Sequence, residues 1–106
     1  MVPFLTPKQL QEKLNNQETI CVLDVREDWE YEICRLEKSL HIPLGDLENR
    51  LQEIPYLKTI VVVCHHGIRS QKGALKLIRA GFSDVLNLSG GIDAWAKEVD
   101  PGIGFY

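Results

Sequence analysis

The sequence predicts a single α/β domain over residues 1–106, with a mainly parallel central sheet of about five strands and helices on both faces. Three observations carry this. Short apolar runs alternate with amphipathic segments along the whole chain, the pattern of repeated strand–helix units. The run Ile60-Val61-Val62-Val63 is apolar at every position, which suits a parallel strand buried on both faces. A chain of 106 residues, 44% hydrophobic and 25% charged, can bury one core but has little room for a second.

The elements follow in order. Thr6-Pro7-Lys8-Gln9 opens a helix: Thr6 is a good N-cap, Pro7 suits the first helical position and Gln9 can close a capping box. That helix should run to Asn15 or Asn16. Thr19–Val25 reads as a strand, and Asp28 as the cap of a short helix ending near Cys34. Leu40-His41-Ile42 is a brief strand stopped by Pro43. Asp46 is expected to cap a helix that carries Leu47, Leu51 and Ile54 on one face, with Pro55 ending it. Thr59–Val63 is the buried strand. The next helix runs from Ile68 or Arg69 to Ala80, with Gly81 as its stop. Asp84–Leu88 is a strand, Gly90-Gly91 a turn, and Ile92–Lys97 a final short helix. The stretch Asp100–Tyr106 is apolar and glycine-containing, suited either to pack back on the domain or to dock a partner.

Composition restricts the function classes. The formal net charge is −3, so no nucleic-acid partner is expected and any basic site must be local. No apolar run approaches membrane-spanning length, and Met1-Val2-Pro3-Phe4 lacks the features of a secretory leader, so the expected location is cytoplasmic. Cys21, Cys34 and Cys64 are an odd number and widely spaced, which argues against a disulfide framework or a structural zinc site and for reduced thiols.

Ligands of parallel sheets bind beyond the carboxyl ends of the strands. Cys64 stands at that end of the strand Thr59–Val63 and opens the loop Cys64-His65-His66-Gly67-Ile68-Arg69. A strand–loop–helix turn of this kind can aim successive N–H groups inward, and the following helix adds the positive end of its dipole. Gly67 eases the tight curl. Such a cradle favours a thiolate, or a persulfide with its charged outer sulfur, at Cys64. Arg69 could hold an oxyanion with two donors or fix the loop by pairing with a buried carboxylate. His65 and His66 are expected to line the entrance and tune its charge, and no metal or other cofactor is expected. Arg69, Lys72, Lys76 and Arg79 recur on one helix face, opposite Ala74, Leu75, Leu77 and Ile78, which should meet the sheet. This basic stripe suits an anionic substrate or an acidic partner surface. Cys21 is expected in the core; Cys34 is expected either to pack or to act as a resolving thiol.

Taken together, Asp24-Val25-Arg26-Glu27, Glu30-Tyr31, Leu40-His41-Ile42-Pro43-Leu44, the loop Cys64–Ser70 and Asn87-Leu88-Ser89-Gly90-Gly91-Ile92-Asp93-Ala94-Trp95 make the chain resemble the rhodanese family of sulfurtransferases over nearly its whole length. The resemblance implies a double displacement. Cys64 would take the outer sulfur of an anionic donor such as thiosulfate, and a persulfide would pass it to cyanide, a small thiol or a protein thiol. It also implies that Arg69 orients the donor or braces the loop, with Glu30 as its candidate partner. Asp24 and Arg26 would organise the strand end rather than react. The chain departs from the family where many members carry Gly-His and Gly-Ala pairs. Here those positions hold Cys34-Arg35 and Lys38-Ser39, a change that bears on partner choice. Two alternatives stand beside this reading. A non-enzymatic or relay rhodanese-like partner-binding module is one, although inactive members usually lack the cysteine. A Cys-dependent phosphatase of the related cell-cycle type is the other. Its loop has five residues between Cys and Arg; here there are four, and the tighter ring suits one sulfur atom better than a phosphate.

Overall fold

A computed structural model describes residues 2–106. Its strands are β1 (Phe4–Leu5), β2 (Ile20–Asp24), β3 (Leu40–His41), β4 (Thr59–Val63) and β5 (Val85–Leu88). They form one sheet in the order β1-β5-β4-β2-β3, with every neighbouring pair parallel. The helices are α1 (Pro7–Asn15), α2 (Asp28–Ile33), α3 (Ile68–Arg79) and α4 (Gly91–Glu98).

Strand β4 lies at the centre, paired along its length with β2 and over Ile60, Val61 and Val62 with β5. Its side chains alternate between two cores, which explains why every position from Ile60 to Val63 is apolar. Ile60, Val62 and then Cys64 face a core shared with Ala74 and Leu77 of α3 and with Leu47. Val61 and Val63 face the other, shared with Leu10 of α1 and with Ile92 and Trp95 of α4. The alternation therefore continues one residue beyond the strand and delivers Cys64 to the α3 side. The sheet is thus covered on both faces, as the sequence predicts.

Helix α1 has the expected start. Thr6 Oγ1 accepts from the Gln9 N–H at 3.2 Å, and Gln9 Oε1 accepts from the Thr6 N–H at 2.8 Å. Elsewhere the structure corrects the sequence reading. The N-cap of α2 is Glu27 rather than Asp28, with the Glu27 N–H donating to Glu30 Oε1 at 3.0 Å. The helix expected after Asp46 is two 3₁₀ turns, Leu44–Asn49 and Leu51–Glu53, interrupted at Arg50. Leu47 and Ile54 are still buried, so the apolar spacing is satisfied by tighter turns. The buried face of α3 is Ser70, Gly73, Ala74 and Leu77, whereas Leu75 and Ile78 are more than a third exposed. Gly73 lies against Val62, Leu44 and Val25, so close approach of helix to sheet replaces the bulk expected from Leu75 and Ile78. The edge strand β1 has no counterpart in the sequence reading. At Lys38 the backbone adopts a left-handed conformation, φ 59°. The three thiols are free, with Cys34 and Cys64 buried. Among the described residues no helix is long and apolar enough to cross a membrane.

Candidate active site

Cys64 is 1% exposed and lies where β4 gives way to the loop. The Gly67 N–H donates to its Sγ at 3.0 Å, and Sγ and Ser70 Oγ are hydrogen-bonded at 3.3 Å. The Ser70 hydroxyl in turn donates to Asn87 Oδ1, and Asn87 Nδ2 donates to the Gly67 carbonyl at 3.1 Å. A closed circuit of buried polar groups from α3 and β5 thus fixes the loop around the sulfur.

The loop is held from a second side by the start of α4. Ile92 N–H donates to the Cys64 carbonyl at 2.8 Å and Asp93 N–H to the His65 carbonyl at 3.1 Å. The first N–H groups of a helix lack intrahelical partners, so they are free to make these bonds. Anchoring both carbonyls on α4 turns this edge of the loop away from the sulfur. Gly67, at φ 101°, supplies the reversal that brings its own N–H back to Sγ. Ile68 and Arg69 then open α3, and their amides are likewise at the free end of a helix.

Arg69 is engaged with Glu30, its NH1 and NH2 donating to the two carboxylate oxygens at 2.6 and 2.8 Å. The fork ties α3 to α2, and Glu30 is nearly fully buried. The hydrogen-bonded Arg69 guanidinium pulls the Glu30 carboxyl from its usual 4.5 to about 2, against the opposing effect of burial. Glu30 in turn makes Arg69 a firmer cation. Asp24 and Arg26, 1% and 0% exposed, sit behind this pair. Arg26 binds Asp24 at 2.8–3.1 Å, the Glu30 carbonyl at 3.2 Å and the Cys34 carbonyl at 2.6 Å. Burial opposes the Arg26 charge, but the bonds to Asp24 and Tyr106 outweigh it and the guanidinium stays charged.

His65 and His66 stack at 3.9 Å between centroids with planes 23° apart. Their donor atoms and an Asp93 oxygen all lie within 4.8 Å of one another. Stacked rings send their lone pairs out side by side rather than to one point, and Asp93 is already bonded to Lys97 at 3.0 Å. Burial, with the neighbouring His66 adding to it, pushes the His65 imidazole below its ordinary value. Beyond the rim, Phe4, His66, Ile68, Gln71 and Ser89 line an open groove of about 430 Å³. In the basic stripe, Lys76 is paired with Glu48 at 2.9 Å and Arg69 with Glu30, so Lys72 and Arg79 are the exposed remainder.

Residues 6–98 match the model of the rhodanese-like domain. The chain belongs to the rhodanese family. This rhodanese-like chain is 32% identical over 97 residues to a sulfurtransferase of Allochromatium vinosum, covering 92% of this chain and 91% of that one. It is also 32% identical to the thiosulfate sulfurtransferase GlpE of Coxiella burnetii, over 78% of each chain. The crystal structure of a rhodanese-like domain protein from Staphylococcus aureus superposes with a TM-score of 0.85 at 27% identity, over 100% of this chain and 99% of that one. The chain spans 54% and 26% of the length of the first curated relatives it matches. Sulfurtransferases thus recur among the relatives of this domain.

The structure brings Cys64, His65, His66, Gly67, Ile68, Arg69 and Glu30 into one site, with Asp24 and Arg26 directly behind. Ser70, Asn87, Gly91 and Tyr106 also take part in the site, a role the sequence reading did not give them. Asn87 carried a signal: it is the one polar residue inside the strand Val85–Leu88. Tyr106 carried none.

Proposed function

We propose that the protein is a sulfurtransferase that carries sulfur as a persulfide on Cys64. The observation that carries this reading is the N–H of Gly67 aimed at Sγ, 3.0 Å away, inside a ring with only four residues between Cys64 and Arg69. A nucleophilic sulfur needs a donor that stabilises its anion, and a persulfide presents that same demand one atom further out.

Thiosulfate fits as donor. The Cys64 thiolate attacks the outer, sulfane sulfur; its lone pair forms the new S–S bond, and sulfite leaves with the electron pair of the broken one. The Cys64 persulfide then gives its terminal sulfur to an acceptor nucleophile. Cyanide becomes thiocyanate, or a thiol becomes a persulfide, and the Cys64 thiolate returns. No external oxidant enters either step. The GlpE relative supports thiosulfate as the donor class. Arg69 already has both terminal nitrogens on Glu30, so its first duty is to brace the loop, which leaves its remaining N–H groups for an anionic donor. Lys72 and Arg79 suit an acidic protein acceptor.

Incubating reduced protein with thiosulfate should add the mass of one sulfur atom at Cys64, read by intact-protein and peptide mass spectrometry. Cys64→Ser should remove the adduct. Unmodified wild-type protein after such treatment would sink the reading. An aryl phosphate should not be hydrolysed, because the short ring leaves too few donors for three phosphoryl oxygens.

A further inference from the structure

The segment after α4 packs back on the domain. Asp100 starts a 3₁₀ turn over Pro101–Ile103, and Gly104, at φ 103°, redirects the backbone past Cys34. Tyr106 then enters the space between α2 and the Cys64 loop. Its hydroxyl donates to Glu30 Oε2 at 2.7 Å and accepts from Arg26 NH1 at 3.1 Å. Its ring stacks on His65, centroids 4.1 Å apart and planes 15° apart, while Trp29 meets it edge-on at 5.9 Å.

Two separate contacts therefore converge on one side chain. The hydroxyl completes the shell of the carboxylate that holds Arg69. The ring makes one wall of a three-ring stack, Tyr106–His65–His66, on the loop that carries Cys64. Glu30 Oε1 is filled by Arg69 and the Glu27 N–H, and Oε2 by Arg69 and Tyr106. Without the hydroxyl, Oε2 keeps only its bond from Arg69, and the carboxylate loses one of the four hydrogen bonds that hold the fork. Burial and the bond to Glu30 keep the Tyr106 hydroxyl protonated, at about 12, although the bond from Arg26 works the other way, so it remains a donor throughout the working range.

We infer that Tyr106 is a positioning residue for sulfur transfer: its hydroxyl sets the Glu30–Arg69 fork and its ring sets His65 at the mouth of the Cys64 loop. This rests on the sulfurtransferase reading for its functional arm, but the positioning itself is readable without catalysis.

The test uses Tyr106→Phe and Tyr106→Ala in the full chain. Tyr106→Phe removes the hydroxyl and keeps the ring. It should raise the Glu30 titration, followed by carboxyl ¹³C NMR, and leave the His65 titration in place. Tyr106→Ala should also raise the His65 titration toward its ordinary value, because the ring that buries one face is gone; the groups facing His65 otherwise are His66, Asp93, Glu30 and Arg69. With thiosulfate as donor, Tyr106→Phe should raise KM about threefold to tenfold, the effect of one ordinary intramolecular hydrogen bond, with a much smaller change in kcat. An unchanged Glu30 titration in Tyr106→Phe, or an unchanged His65 titration in Tyr106→Ala, overturns the inference. So does wild-type KM in Tyr106→Phe. If the wild-type chain takes up no sulfur, the sulfurtransferase reading fails instead, and the two titrations still decide whether Tyr106 sets this site.

Discussion

Gly91 shows how narrowly the loop is held. A Cβ there would stand 2.4 Å from the His65 carbonyl oxygen and 2.5 Å from that of Cys64, and the backbone is left-handed at φ 64°. Both obstacles are main-chain atoms, already fixed by the N–H groups of Ile92 and Asp93. They cannot yield as a flexible side chain would. Gly91→Ala should therefore cost at least about 2 kcal/mol in denaturant unfolding, from strain and overlap together. It should also slow sulfur loading of Cys64 in the molecules that remain folded, measured by mass against time. The dipeptide Gly90-Gly91 is legible in the sequence as a turn. That the turn abuts the loop is not, because it depends on β4 and β5 being paired in space. Ser70 and Asn87 share this property. Each is an ordinary polar residue locally, and only the pairing of β5 with β4 and the packing of α3 on the sheet bring them to one sulfur.

Between elements, the strongest link at the site is the fork from α3 to α2. Glu30 titrates at about 2 rather than 4.5 in the folded protein, chiefly because Arg69 is hydrogen-bonded to it. Between those two values the unfolded chain binds more protons than the folded one, so stability rises with pH across this window. The stabilisation is complete above 4.5 and is lost as the pH falls to about 2. Glu30→Gln should accordingly lower stability by roughly 2 kcal/mol at neutral pH, allowing for solvent screening on the Arg69 side. The gap from wild type should close as the pH is taken down through that window, measured by urea unfolding at each pH. A gap independent of pH would mean that the glutamate acts by shape rather than charge. At this scale the sequence was informative where local pattern and tertiary role agree. Strand β4 was readable because its run is apolar at every position, and α1 because its cap is built from Thr6 and Gln9. Strand β1 was not readable, since Phe4–Leu5 is a strand only by pairing with Asn87 and Leu88. The segment around Asp46 had helical spacing, yet it folds as two 3₁₀ turns, Leu44–Asn49 and Leu51–Glu53, with Leu47 and Ile54 still in the core.

For the molecule as a whole, the sheet divides the interior into two cores, and the site stands at the edge of both. Sγ of Cys64 lies on the α3 side, while the carbonyls of Cys64 and His65 are anchored by α4 from the other. The scaffold and the site are therefore separable by mutation. Leu77, fully buried between α3 and the sheet, makes none of the contacts that shape the loop. Leu77→Ala should remove about 2–5 kcal/mol of stability, the usual range for a large-to-small change in a packed core. The helix it supports is still tied at its start by Arg69 to Glu30 and by Ser70 to Asn87. Sulfur loading per folded molecule should thus remain close to wild type below the unfolding transition. Comparison with Gly91→Ala makes the measurement decisive, because both variants lose stability but only the glycine change reaches the loop backbone. If Leu77→Ala slowed loading as much as Gly91→Ala does, the loop would be held by the general packing of α3 on the sheet. The specific bonds from α2, α4 and β5 would then be secondary.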